Sequence, residues 1–466
     1  MRLFQRLAIN KNQLAIKSAS VTARSITKYF FYKKTIMTII KNLIFIILIA
    51  FLITSCDLLS IKKQQEKAAE FCQLAGTIAT EQPNKSNLIV VLLRHKSGSI
   101  KDKNNWTLVD HYVLEKTGKW FFHSLPGTYF LTAFQDINNN KIFERNEPAI
   151  PLDIKKKFNC APNEHKSGIN LVIPHQGRIP GDAPVDISTL QARSKAEQLN
   201  VSLGQALAIG EVISLEDQRF SHENARKGLW KPFDFIWESK PGIYFLQPYD
   251  KNKIPVLFIH GINGTPIEFN SLIKNLDQSR FQPWVAYYPS GSKLNNIATH
   301  LNRTINQLKA HHHFQNLFIV AHSMGGLVAR GMILENSKTF QEKLYSLFIS
   351  ISTPWSGHAA AQLAKHAPAA VYSWLDITPG SEFLTQLFYK ESRIRHLPTH
   401  TSHHLIFTYL SGKSDDGTVS IESQLRPEAQ EDAEHIYGFL QSHSGVLEHT
   451  ETSKLINQIL YDANNE

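Results

Sequence analysis

Net charge is the first thing the body of this chain lacks. The 466 residues carry a formal +10. Nine Lys and Arg within residues 1–55, opposed by no Asp or Glu, leave only +1 for everything that follows. A folded part so near neutrality has no electrostatic footprint for nucleic acid, and that class of partner is excluded. Cysteine is scarce too, with 3 in the whole chain. None lies beyond Cys160, so the C-terminal two thirds contain no candidate disulfide or cysteine nucleophile. No repeat or low-complexity segment interrupts that part. What is present in quantity is apolar: 42% of residues, ordinary for a globular protein with real cores. The length allows two or three domains.

Residues 37–56 combine a charged start, an apolar run and a small-residue end. This order makes an export signal. The ending Ile53-Thr54-Ser55-Cys56 resembles a bacterial lipobox, which implies a lipidated Cys56 as first mature residue. Met37 is then a candidate start, and the protein is expected to be anchored to a membrane of the cell envelope, facing the periplasm or the exterior. Outside the cytoplasm the remaining pair, Cys72 and Cys160, is a disulfide candidate.

Five divisions follow: a signal region at 1–55, a tether at 56–71, an all-β domain at 72–175, a connector at 176–250 and a catalytic domain at 251–466. In the all-β domain, 72–175, Leu88–Leu93, Tyr112–Leu114, Trp120–Phe122 and Tyr129–Phe134 are short apolar runs split by turn residues. The phrase from Gly127 to Asp136 resembles small prealbumin-like β-sandwiches. Oxygen side chains between Asp136 and Glu147 have the spacing of a calcium loop. Lys141 occupies the position where such loops need Gly, so a polar turn is the favoured reading. The connector is broken by Pro174, Gly177, Pro180, Gly181 and Pro184, with a short helix expected near 188–215.

From 254 onward strands and helices alternate, which means a parallel sheet covered on both faces. Ile254–Ile259, Trp284–Tyr288, Leu317–Ala321, Leu344–Ser352 and Leu405–Leu410 are the expected strands. Leu294, Ile297, Leu301, Ile305 and Leu308 mark one apolar helix face. The organising stretch is Phe318-Ile319-Val320-Ala321-His322-Ser323-Met324-Gly325-Gly326. An apolar strand runs into a turn of small residues and then a helix. That turn exposes Ser323 as a nucleophile, with Ala321 standing where Gly is more usual. His260-Gly261-Ile262-Asn263-Gly264 ends the first strand and frees backbone N–H groups. By position, Ile262 and Met324 are the expected oxyanion donors.

These segments, with Ser352-Thr353-Pro354-Trp355-Ser356-Gly357, resemble α/β-hydrolase lipases and esterases. The branch is the one related to GPI-inositol deacylases and bacterial triacylglycerol lipases, and the likeness covers about residues 228–460. It implies an α/β-hydrolase fold behind the small sandwich, and a Ser-His-Asp triad. Asp416, in Asp416-Gly417-Thr418-Val419, matches the triad acid, with Asp415 second. His443 matches the histidine, with His449 second. His311–His313 point in different directions, and no metal or cofactor is expected. Apolar residues between 355 and 400 form either a lid or ordinary core helices. The expected activity is hydrolysis of a carboxylic, acyl-bearing ester. A silent hydrolase scaffold with a binding sandwich, or acyl transfer, are the alternatives. Substrate chain length and oligomeric state are open at this stage.

Overall fold

The computed structural model describes residues 60–465 except 83–85, 96–97, 100–104, 176–201, 341–342 and 367–368. The signal segment, Met37 and Cys56 lie outside the described residues. Among those described, no helix is long and apolar enough to cross a membrane.

The first half is a small all-β sandwich. One sheet joins β1 (Cys72–Thr80), β4 (Gly118–Ser124) and β7 (His165–Ile173), in the order β4-β1-β7. The other has the order β3-β2-β5-β6, from β2 (Asn87–His95), β3 (Trp106–Leu114), β5 (Gly127–Asp136) and β6 (Lys157–Cys160). Leu88, Val90 and Leu92 face the other sheet, among Leu74, Ile78, Trp120 and Phe122. Ile89, Val91 and Leu93 face outward, yet they too are buried, in a cluster that includes Ala310 of the second half. A strand covered on both faces reads as an unbroken apolar run rather than an alternation. That is why Leu88–Leu93 shows no period of two. Cys72 and Cys160 are joined as a disulfide, with Cα atoms 5.8 Å apart.

The second half is an eight-stranded sheet. Its spatial order is β17-β16-β13-β12-β10-β11-β9-β8. The central strands are β10 (Ile254–Ile259), β11 (Phe281–Tyr287), β12 (Leu317–His322), β13 (Tyr345–Ile351) and β16 (Ser402–Thr408). These are parallel to one another, as is β17 (His435–Phe439) at one edge. At the other edge β9 (Gly242–Phe245) runs against β11, with β8 (Ala208–Val212) beside it. Between β13 and β16 stands a two-stranded hairpin, β14 (Tyr389–Lys390) and β15 (Arg393–Ile394).

Two expectations are corrected here. The stretch 176–250 is not merely a connector, because its described part supplies two strands of the eight-stranded sheet and the helices His222–Trp230 and Pro232–Ser239. The region near 188–215 is not helical in its described part beyond a short 3-10 turn, Leu203–Ala206, before β8. Both strands are short, β8 at the sheet edge and β9 next to it, and in so few residues periodicity is faint. Of the apolar residues between 355 and 400, Leu384, Leu387 and Phe388 are buried in the main core, while Leu363 is 77% exposed.

The halves meet along the helix Leu294–His312. Its apolar face packs on the sheet through Leu294, Ile297, Leu301, Ile305 and Leu308. Its polar face is buried as well. Arg303 pairs with Asp110 of β3 at 3.0 Å, both side chains no more than 1% exposed. Arg303 also donates to the carbonyl of His111 at 2.8 Å. Lys309 pairs with Glu115, and Asn87 donates to the carbonyl of Ala310. Ser60–Glu466 accordingly form one compact unit.

Candidate active site

β12 ends at His322 and the helix Met324–Phe340 begins one residue later, so Ser323 alone makes the turn. Its φ is +54°, a left-handed conformation that non-glycine residues adopt only when the surroundings impose it. Those surroundings are visible. The Ser323 N–H donates to the carbonyl of Ile351 at 2.8 Å. A Cβ at Gly325 would stand 2.3 Å from the carbonyl oxygen of Ile259, so only glycine fits there. A Cβ at Gly326 would strike the Thr353 hydroxyl at 2.0 Å. Ala321 lies fully buried in β12, paired with Ile259, and its methyl is accommodated.

Two loops bring the partners. His443, beyond β17, places Nε2 2.9 Å from Ser323 Oγ and Nδ1 2.7 Å from Asp416 Oδ2. Asp416, beyond β16, is fully buried. Its Oδ1 accepts from the backbone N–H of Thr418 at 2.9 Å and of Val419 at 2.7 Å. Its Oδ2 accepts from the Thr408 hydroxyl at 2.7 Å and from Gln424 Nε2 at 3.2 Å. Burial alone would raise its pKa. The bonds from His443, Val419 and Thr408 outweigh burial and hold the carboxyl below its ordinary value. The Asp416 carbonyl also receives the His443 N–H, at 3.0 Å. Asp415 turns away and accepts from the Gly417 N–H. His449 lies edge-on to Phe439, and its Nδ1 is buried without a partner among the described residues.

The first strand of the core, β10, ends beside this chain. A Cβ at Gly261 would come within 2.9 Å of Ser323 Cβ. Asn263, with φ +54°, donates its N–H to Ser290 Oγ at 3.0 Å and so pins the turn. Among the described residues, neither the N–H of Ile262 nor that of Met324 is used in a hydrogen bond within the protein. Both belong to segments that abut Ser323. His260 accepts none of this chemistry. Burial pushes it down to about 4, and its ring stacks on Tyr288 at 4.1 Å.

The strand order, the serine at the elbow after β12, the acid after β16 and the histidine after β17 decide the matter. The eight-stranded half has the α/β-hydrolase fold. Residues 285–372 of the chain match a family model described as a PGAP1-like alpha/beta domain. Among solved structures, the lin2722 gene product of Listeria innocua is similar at 13% identity over 45% of this chain and 94% of its own, with a TM-score of 0.36. Mature lipase BlEst2 of Bacillus licheniformis is similar at 14% identity over 47% and 97%, TM-score 0.38. Est1E of Butyrivibrio proteoclasticus, bound to ferulic acid, is similar at 10% identity over 49% and 96%, TM-score 0.36. No curated protein matches the chain in sequence.

Three positions of this site escaped the sequence reading. His322 donates from Nε2 to the carbonyl of His443 at 2.8 Å, its ring 4.8 Å from the His443 ring. Burial, helped by the nearby His443, pushes His322 down to about 3, so it is neutral and serves as a strut for the histidine loop. Its place beside Ser323 was the one available signal. Thr408 and Gln424, which hold the acid, carry no local mark. His311–His313 end the helix Leu294–His312: His312 stacks on Tyr249 at 4.0 Å, and His313 takes the left-handed capping conformation. In the Asp136–Glu147 loop, Asp136 accepts the backbone N–H groups of Asn140 and Lys141, and Glu147 those of Ile137 and Glu144. Lys141 has φ +62°, the conformation in which glycine would be at ease.

Proposed function

We propose that the protein is a serine hydrolase of carboxylic esters carrying an acyl chain. The observation that carries this reading is the unbroken hydrogen-bonded chain from Ser323 Oγ through His443 to Asp416. His443 Nε2 takes the proton as Ser323 Oγ attacks the ester carbonyl. Asp416 keeps the Nδ1–H tautomer in place and stabilises the imidazolium. The free N–H groups of Ile262 and Met324 receive the oxyanion. As the tetrahedral species collapses, His443 returns the proton to the leaving alcohol. A water, deprotonated by the same nitrogen, then cleaves the acyl-serine and releases the acid. No step requires a cofactor. The sequence of residues 37–56 supports placing the enzyme outside the cytoplasm, anchored through a lipidated Cys56. The Cys72–Cys160 bond fits that compartment.

The test is hydrolysis of p-nitrophenyl esters of graded chain length, with fluorophosphonate labelling alongside. Wild type should turn over and label. Ser323→Ala should do neither while keeping its melting point. A wild-type protein that neither turns over nor labels would leave the fold as a silent scaffold.

A further inference from the structure

A cavity of about 300 Å³ is lined by neither Ser323, His443 nor Asp416. It lies where the helix over 60–69, the sandwich and the hydrolase converge. Ile61 and Ala68, Phe233 and Ile236, and Ile297 and Leu301 supply apolar wall from three separate helices. The volume stands at the small end of ligand pockets, about 300–1,000 Å³, which suits one alkyl chain and not two.

One end is polar. His123, from the end of β4, and His300 line it with ring centroids 5.2 Å apart, and the Phe121 ring lies edge-on to both. Among the described residues no hydrogen bond satisfies either imidazole, and Nδ1 of each is buried without a partner. Burial, and after it the Arg303 charge, pushes His123 down to about 4; His300 is lowered too, by burial first. Both rings are therefore neutral with one proton each. A buried N–H without an acceptor is rarer and costlier than a buried lone pair, which puts the lone pair on Nδ1 and the proton on Nε2. The rings are only partly buried, so the Nε2 edge is the part the cavity reaches. Both rings line the same cavity, each with a donor to offer. Among the described residues no Asp or Glu lines the cavity, while Lys293 does.

We propose that this cavity binds a single long-chain carboxylic acid. Its alkyl chain lies between the helix over 60–69 and the helix Leu294–His312, and its carboxylate accepts from the Nε2–H groups of His123 and His300. The site is separate from the reaction at Ser323 and stands whether or not that reaction occurs.

Fluorescence titration of the full chain with cis-parinaric acid tests it, with palmitic acid and hexadecanol as competitors. Saturable binding at one site per chain is expected, displaced by palmitic acid. Leu301→Trp and Ile236→Trp each fill the cavity and should weaken binding at least tenfold, near-UV circular dichroism verifying that each variant is folded. The double variant His123→Leu, His300→Leu should bind palmitic acid about tenfold more weakly and hexadecanol within twofold of wild type. Absence of saturable binding to wild type overturns the proposal, as does unchanged affinity in either folded cavity-filling variant. Equal loss of acid and alcohol in the double variant overturns the assignment of the carboxylate end.

Discussion

Replacing Asp416 by Asn should cut kcat about 10⁴-fold through a single proton in the wrong place. An Asn amide must put its NH₂ on one of the two sides that Asp416 fills with oxygen. On the Oδ1 side it would meet the backbone N–H groups of Thr418 and Val419, which cannot be inverted. On the Oδ2 side it meets three donors of different rigidity. Gln424 is locked, because its Oε1 already accepts the Thr408 N–H at 2.9 Å. The Thr408 hydroxyl can rotate, and Ser352 Oγ lies 2.7 Å from it as a partner. His443 can shift its proton from Nδ1 to Nε2. The amide therefore settles on the Oδ2 side and drives His443 into the tautomer whose Nε2 already holds a proton. That nitrogen can no longer take one from Ser323. Tautomer inversion in serine proteases produces a loss of about 10⁴, or about 5 kcal/mol in the barrier at 1.36 kcal/mol per decade. Fold stability should fall by only about 1–3 kcal/mol, the cost of one imperfectly paired polar group. Steady-state kinetics on p-nitrophenyl butyrate, with urea unfolding alongside, separates the two. A kcat within tenfold of wild type, in a folded Asp416→Asn protein, would refute the reasoning.

Other perturbations follow from the same geometry. Asp110→Ala leaves Arg303 buried without its partner, which should cost about 3–5 kcal/mol by denaturant unfolding; the pairing is structurally idle if the loss is below 1 kcal/mol. Reduction of Cys72–Cys160, 88 residues apart, should destabilise the sandwich by at most about 4–5 kcal/mol from chain entropy. A melting point indifferent to reducing agent would remove that constraint from the account. Glu268 is raised to about 7 by burial. The folded state therefore holds a proton that the unfolded state has released between pH 4.5 and 7, and stability from this group is lost as pH rises through that window. Glu268→Gln should flatten the decline, and an unchanged pH profile of unfolding would count against it.

What could be read in the sequence was what is encoded locally. The elbow around Ser323 is fixed by contacts that demand small residues at 325 and 326, and small residues are visible in a string of letters. β10 and β12 are short apolar runs at the centre of a sheet, and such runs carry their own signal. Asp416 and His443 were found through a family resemblance, since a bare Asp-Gly turn and one histidine among four say little alone. The rest depends on what packs against what. β17 sits at the sheet edge with His435, Ile436 and Gly438 exposed, so its pattern is weak. β8 falls inside the stretch expected to be helical near 188–215, and β9 has only four residues. Arg303 and Lys309 look like a solvent face of their helix, but Asp110 and Glu115 of the sandwich pair with them. Nothing within the helix announces those partners. Gln424 is tied to Asp416 by a side-chain amide that any surface glutamine would also possess.

The two-sided burial of β2 has a consequence for how the protein is made. The ribosome completes β2 some two hundred residues before Ala310, the hydrolase residue in the cluster that covers its outer face. In the interval the sandwich can close on itself, through Leu88, Val90 and Leu92, while Ile89, Val91 and Leu93 have only the sandwich's own residues, Phe134, Ala149, Phe143 and Leu152 among them, for cover. Asp110 waits over the same interval for Arg303. The nascent chain therefore presents an incompletely covered strand, with an acid lacking its cation, until the second half arrives. A holding factor during synthesis or transit would act on that face, and the arrival of the helix Leu294–His312 would release it.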